Sequence, residues 1–265
     1  MRGGVHPPKV GALAARQARG RRLKPAPVEI VEILGRSDQG LARPYVCRGE
    51  DGLVYYVKHR QSGRHSLWAE WICGHLARSF GLNVPPFRLV HVDQALLDEC
   101  PPDWQDLGAG IGFGSEKHPH ATWLELAMAG QVAEQDQQDI ALFDWWVHNL
   151  DRQPGNTNLL WDADAQRVVV IDFNNAFDAT FTDADFTQTH LFAQQLAPCF
   201  ADLVVQAQFA QRLARALATL PAACGNLPSE WHWVNPEMDI PAPFDLTAAT
   251  ALLNRCLDGP TWGPT

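Results

Sequence analysis

The chain has 265 residues, a formal net charge of −9 and 46% apolar residues, enough for a substantial core in one large domain or two small lobes. No apolar run is long enough to cross a bilayer and no signal-peptide pattern opens the chain, so no membrane contact and a cytoplasmic location are expected. The acidic balance argues against a folded domain that grips nucleic acid, and six scattered cysteines without a C-x-x-C pair argue for free thiols rather than structural zinc.

In chain order, residues 1–27 come first, with Arg2, Lys9, Arg16, Arg19, Arg21, Arg22 and Lys24 and no acid. Interleaved with Gly, Pro and Ala, they read as a flexible basic tail, suited to an acidic partner or RNA, or simply solvated. Val28 to Ile33 alternates like a half-buried strand. Gly35-Arg36-Ser37-Asp38-Gln39-Gly40 reads as a turn-rich loop, and Pro44 to Cys47 and Leu53 to Val57 as two strands joined by Glu50-Asp51-Gly52. Lys58 ends the second. A helix follows from about Ser66 to Phe80, with Leu67, Trp71, Ile72, Leu76 and Phe80 on its apolar side and Glu70 within it. Phe87 to Val92 is a further strand, Asp98 to Gly110 a loop, and Ile111 to Ser115 the lead into a connection between two lobes.

Beyond it the pattern is mainly helical. A helix through Ile140, Leu142, Phe143, Trp146 and Val147 runs into Asn149-Leu150, and Arg152-Gln153-Pro154-Gly155 ends it. Thr157 to Trp161 and Arg167 to Ile171 form a hairpin about Asp162-Ala163-Asp164-Ala165. Ala201 to Leu220 and Leu246 to Leu257 read as helices, with Pro241-Ala242-Pro243 as a spacer.

The chemistry sits around that hairpin. Asp151 precedes Asn156 by five residues on a loop, and Asp172 follows sixteen later, at the end of the run Val169-Val170-Ile171. Phosphoryl transfer needs a carboxylate for the acceptor hydroxyl and an Asn and an Asp for the metal on the nucleotide, because positioning and charge neutralisation supply most of the catalysis. The hairpin carries Asn156 and Asp172 on adjacent strand ends, close enough to share a magnesium ion. The Asp–Asn spacing alone is commoner as a solvated turn. The upstream order strengthens the reading: a loop with Gly35, Ser37 and Gly40 to cover phosphates, Lys58 on a strand, then Glu70 on a helix to orient it. Together they read as an ATP-dependent kinase.

These residues resemble the HipA-like kinases, bacterial relatives of the eukaryotic protein and phosphoinositide kinases, from about Val28 onward. The likeness takes in Val57-Lys58, the Glu70 helix ending in Leu76 to Leu82 before Pro85-Pro86, and Phe113-Gly114-Ser115. It continues through Asp151-Arg152, Gly155-Asn156 and Ile171-Asp172-Phe173 to Leu227-Pro228-Ser229-Glu230-Trp231 and Leu252 to Arg255. It implies Asp151 as catalytic base, Asn156 and Asp172 as magnesium ligands, and Lys58 on the ATP phosphates with Glu70 as its partner. We expect an α+β, two-lobed protein-kinase-like fold, with a tail at 1–27, a β-rich N-lobe at 28–115 and a mainly helical C-lobe at 116–265. His148 lies three residues before Asp151, where protein kinases have a His two before, so it is given no catalytic role; Asn174 stands where they have Gly. The chain is shorter than full-length HipA toxins.

Three functions are consistent with this pattern. One is transfer to Ser or Thr of a protein, with self-phosphorylation on Ser37 and an antitoxin-like partner as further implications of the resemblance. Another is an aminoglycoside-type or lipid phosphotransferase, which an acidic acceptor groove would favour in its cationic form. The last is a nucleotide-binding scaffold without catalysis.

Overall fold

The computed structural model describes residues 26–37 and 43–258. The basic tail, apart from its last two residues, lies outside them, as do Asp38, Gln39 and Gly40.

Five strands close into a barrel: β1 (Val28–Arg36), β2 (Tyr45–Gly49), β3 (Val54–Lys58), β4 (Phe87–Val92) and β5 (Gly110–Glu116), in the order β1-β2-β3-β5-β4. Neighbours are antiparallel except β1 and β4, whose short parallel pairing of Val28 with Val90 and Glu29 with His91 completes the closure. Alternating side chains point inward, as the two-residue strand period requires. Val28, Ile30, Tyr45, Cys47, Tyr55, Val57, Val90 and Val92 fill the interior. A buried phenol needs a partner: the Tyr45 hydroxyl donates to Asp106 and the Tyr55 hydroxyl to Asp51.

Three expectations for this region are corrected. Strand β1 continues to Arg36 through two register shifts, so Gly35 and Arg36 pair with Val46 and Tyr45 instead of opening a loop. The segment Ile111 to Ser115 is an inner barrel strand between β3 and β4, and the connection starts after Glu116. Asp98 to Gly110 is not simply a loop. A short helix over Gln94–Asp98, absent from the expected elements, and a 3-10 turn at Pro102–Leu107 bring Leu97 and Leu107 onto the barrel core.

Between β3 and β4 runs helix α1 (Gly63–Phe80), which starts three residues earlier than expected and ends at Gly81, whose φ of +113° lets its N–H reach the Ala77 carbonyl. Counting Gln94–Asp98 as α2, the chain continues with β6 (Ala121–Trp123), α3 (Glu134–Trp146), β7 (Leu159–Asp162) and β8 (Arg167–Val170). Strands β6, β7 and β8 form a three-stranded sheet. The helices α4 (Asp183–Thr189), α5 (Leu196–Ala201), α6 (Leu203–Leu217), α7 (Leu220–Gly225) and α8 (Leu246–Asn254) complete the architecture. The single helix expected over Ala201 to Leu220 is thus interrupted: Asp202 leaves helical geometry to cap α6, accepting from Val204 and Val205 N–H. A second and larger hydrophobic core joins α1, α3 and α6 to β8. All six cysteines are free thiols, four of them buried. No helix among the described residues is long and apolar enough to cross a membrane.

Candidate active site

Lys58 ends β3, Glu70 lies two turns into α1, and Asp172 follows β8; the fold brings them together. The Lys58 ammonium sits 2.5 Å from Glu70 Oε1 and 2.7 Å from Asp172 Oδ1, and all three side chains are largely withdrawn from water. The other Glu70 oxygen accepts the Phe173 N–H at 3.2 Å, tying α1 to the residue after Asp172. Burial alone would lower the Lys58 pKa, but the two carboxylates outweigh it and hold the ammonium charged. One cation cannot serve two buried carboxylates equally. Burial raises Glu70 to about 6, despite Lys58, whereas Asp172 is held below its ordinary value because Lys58 and the Asn174 N–H outweigh its burial.

Asp151 lies on the loop between α3 and β7. Gln153 and Asn156 exchange two 3.0 Å backbone hydrogen bonds around Pro154-Gly155, a turn that these two residue types favour. It brings the Asn156 amide to Asp151 Oδ1 at 3.4 Å, while Asn158 Nδ2 donates to Asp151 Oδ2 at 3.1 Å. Burial and the charge of Asp172 raise the Asp151 pKa against the bonds from Asn158, Asn175 and Asn156. Asp151 is thus a partly desolvated carboxylate beside Asp172, the setting in which a carboxylate gains basicity.

The loop is held from below by a network that the sequence reading missed. Arg152 is fully buried and donates to Asp144 at 2.6 Å, to the Ile171 carbonyl at 3.2 Å and to the Asn158 carbonyl. Asp144 also accepts from Asn149 at 2.9 Å and meets His190 at 3.0 Å. Burial would raise the Asp144 carboxyl, but Arg152 and His190 outweigh it and hold it down to about 2. The available signal was an aspartate between Phe143 and Trp145 in an otherwise apolar run, which demands a buried partner.

A cleft opens beside Lys58. Tyr56, Phe87, Phe113, Trp123, Leu160 and Val170 give it apolar walls; Lys58, Glu70 and Asp172 line it as well, and Ser37 and the Glu116-Lys117-His118 connection contribute to its rim and walls. Gly35 is not among its lining residues: a side chain there would meet Trp104, because the prolonged β1 carries it away. Gly40 lies outside the described residues. Asp151 stands beside Asp172 rather than in the cleft wall, and Asn156 reaches Asp151 from the turn after it. His148 stacks on Phe181 with ring centres 4.0 Å apart, and burial lowers its pKa to about 4.

The family described as HipA-like kinase matches residues 30–264. Among solved structures, the Helicobacter pylori proinflammatory kinase CtkA is similar over 89% of this chain and 93% of its own, at 12% identity and a TM-score of 0.48. A Golgi casein kinase with Mn/ADP bound is similar over 88% of this chain and 71% of its own, at 13% identity and a TM-score of 0.41. No curated protein matches the chain.

Proposed function

The chain belongs to the HipA-like kinase family, and from that premise we propose that it is an ATP- and magnesium-dependent kinase that transfers the γ-phosphoryl group to a hydroxyl, first of all Ser or Thr of a protein. The observation that carries this reading is the Lys58, Glu70 and Asp172 cluster at 2.5 and 2.7 Å on the wall of an apolar cleft, with Asp151 beside it. In this reading the barrel serves as the N-lobe and the helices beyond Glu116 as the C-lobe.

The apolar walls accept the adenine, and Lys58, oriented by Glu70, meets the phosphates. Asp151 takes the proton of the acceptor hydroxyl, and the Asn158 amide holds its carboxylate in place. Asn156 and Asp172 supply only oxygen ligands, the chemistry magnesium prefers. The Asn158 amide oxygen is buried without a hydrogen-bond partner, an orphaned acceptor next to Asp151 that a hydrated cation would satisfy. Magnesium, when bound, neutralises phosphate charge and steadies the leaving group. The presence of both Lys58 and Asp151 favours catalysis over a binding scaffold.

Calorimetric titration with a non-hydrolysable ATP analogue tests the assignment. Affinity should rise with magnesium in the native protein, and Asp172→Ala should abolish that dependence. Unchanged magnesium dependence and turnover in the variant would refute the role of Asp172.

A further inference from the structure

A second cavity, of about 620 Å³, lies among His65 of α1, His148 just beyond α3, α8 and the segment that follows Asp172. That segment joins the two spaces: Asp172 lines the nucleotide cleft, while Asn175, Phe177 and Asp178 line the cavity. Asp151 lines neither space but is coupled to a lining residue of each. It feels the charge of Asp172 and accepts a hydrogen bond from Asn175. We propose that this cavity receives the phosphoryl acceptor, and that the acceptor carries its hydroxyl beside an ammonium or guanidinium group. The proposal rests on the kinase reading and names the substrate class of the same site.

The chemistry of the walls selects the charge. Asp178 and Asp245 line the cavity, and among the described residues no lysine or arginine does. Oδ1 of each is engaged, by Thr180 in one case and by the Ala248 N–H in the other; Oδ2 of each takes no hydrogen bond among the described residues. His148 Nε2 is buried without a hydrogen-bond partner on the same wall. Arg255, whose charge reaches His148, packs over the Trp145 ring instead and does not line the cavity. Such a surface carries carboxylates without a cationic partner among the described residues, and a donor-rich cation supplies one. The apolar part is well anchored: Phe244 stacks on Trp68 with centres 4.8 Å apart and meets Phe177 edge-on at 5.6 Å. In the transfer, the acceptor O–H proton passes to Asp151 as its oxygen bonds to the γ-phosphorus, and ADP leaves with the electrons of the broken P–O bond.

Binding, read without turnover, tests this. Fluorescence anisotropy would compare two labelled serine peptides that differ only in flanking Arg or flanking Glu, with neamine as a competing amino sugar. The Arg peptide should bind about tenfold more tightly than the Glu peptide, as complementary charge at a partly desolvated site implies. The double variant Asp178→Asn with Asp245→Asn keeps acceptors for Thr180 and Ala248, and its fold is checked by circular dichroism. It should reduce the preference to within about threefold. Stronger binding by neamine than by the Arg peptide assigns a small amino sugar, and the reverse a protein; both support the cationic class. Equal binding of the two peptides, failure of both cations to bind, or an undiminished preference in a folded double variant overturns it. Magnesium-dependent binding of the ATP analogue to the native protein is measured in parallel, so failure of the kinase reading shows separately.

Discussion

Asp144→Asn is the most direct probe of how the catalytic loop is held. The carboxylate is 1% exposed and takes Arg152 and His190 on Oδ2 and Asn149 on Oδ1. An amide in its place turns an N–H₂ group toward one of these donors whichever way it is flipped, and leaves the Arg152 guanidinium buried without a counter-charge. Breaking a buried ion pair in this way costs about 3–5 kcal/mol, a large part of the roughly 5–15 kcal/mol that holds a domain together. With a urea slope of about 3 kcal/mol per molar, the unfolding midpoint should fall by about 1–1.7 M. The acid limb gives a second readout. Asp144 titrates at about 2 in the folded chain and near 3.9 when unfolded, so its stabilisation is complete above pH 4 and lost as the pH falls toward 2. Its size is about 2–3 kcal/mol. The difference between native and variant midpoints should therefore shrink across that window. A midpoint shift below about 0.3 M at pH 7, or a difference that does not change between pH 4 and 2, would refute the role given to the network.

Asp151→Asn should lower kcat by about a hundredfold to ten-thousandfold and change ATP affinity little, measured by steady-state kinetics and calorimetry. His75 and His148 are half-buried, and that desolvation lowers each to about 4; the unfolded chain therefore binds more protons below about pH 6.5, and stability should fall as pH drops from there toward 4. Urea midpoints at pH 7 and 5 would check this, and a flat profile would contradict it. Ser37→Asp, which places a carboxylate at the cleft, should weaken ATP binding, and phosphate on Ser37 after incubation with ATP should appear in a mass spectrum; full affinity in the variant together with an unmodified serine would count against a regulatory role.

Local pattern made some of this architecture legible. Strand β4 runs from Phe87 to Val92 as its alternation predicts, and β7 and β8 form the hairpin expected from its turn residues. Lys58 and Glu70 could be placed because each lies in an element with a clear apolar period. What escaped depends on long-range packing. The segment Ile111-Gly112-Phe113-Gly114-Ser115 reads as the lead into a connection, but its glycines are demanded by the barrel. A Cβ at Gly114 would meet Val90 at 2.5 Å, and one at Gly112 the Lys58 carbonyl at 2.9 Å. The turn-like composition after Ile33 likewise concealed a strand continued by bulges, which set Gly35 opposite Val46. The Asp144, Arg152 and His190 contacts leave one local trace, an aspartate in the apolar run around Phe143 and Trp145, which demands a partner but does not name it, since a buried ion pair has no sequence period.

The backbone around Asp151 explains why that network exists. His148, Asn158, Asp172 and Phe177 all have positive φ, from 49° to 62°, a region that costs non-glycine residues free energy and survives where surrounding structure over-determines it. Asn and Asp tolerate it; a Phe does so only under constraint. The constraints are visible. The Phe177 and Asp178 N–H groups donate to the Val147 and His148 carbonyls, pinning the segment after Asp172 to the end of α3. Arg152 bonds the carbonyls of both Asn158 and Ile171, so one guanidinium fixes the approach to the Asp151 loop and to Asp172 together. A cation buried at that junction is costly unless paired, and Asp144 supplies the pair from the rigid helix α3. The apolar second half of α3 carries Asp144 where the strained loop above it has to be held in one shape.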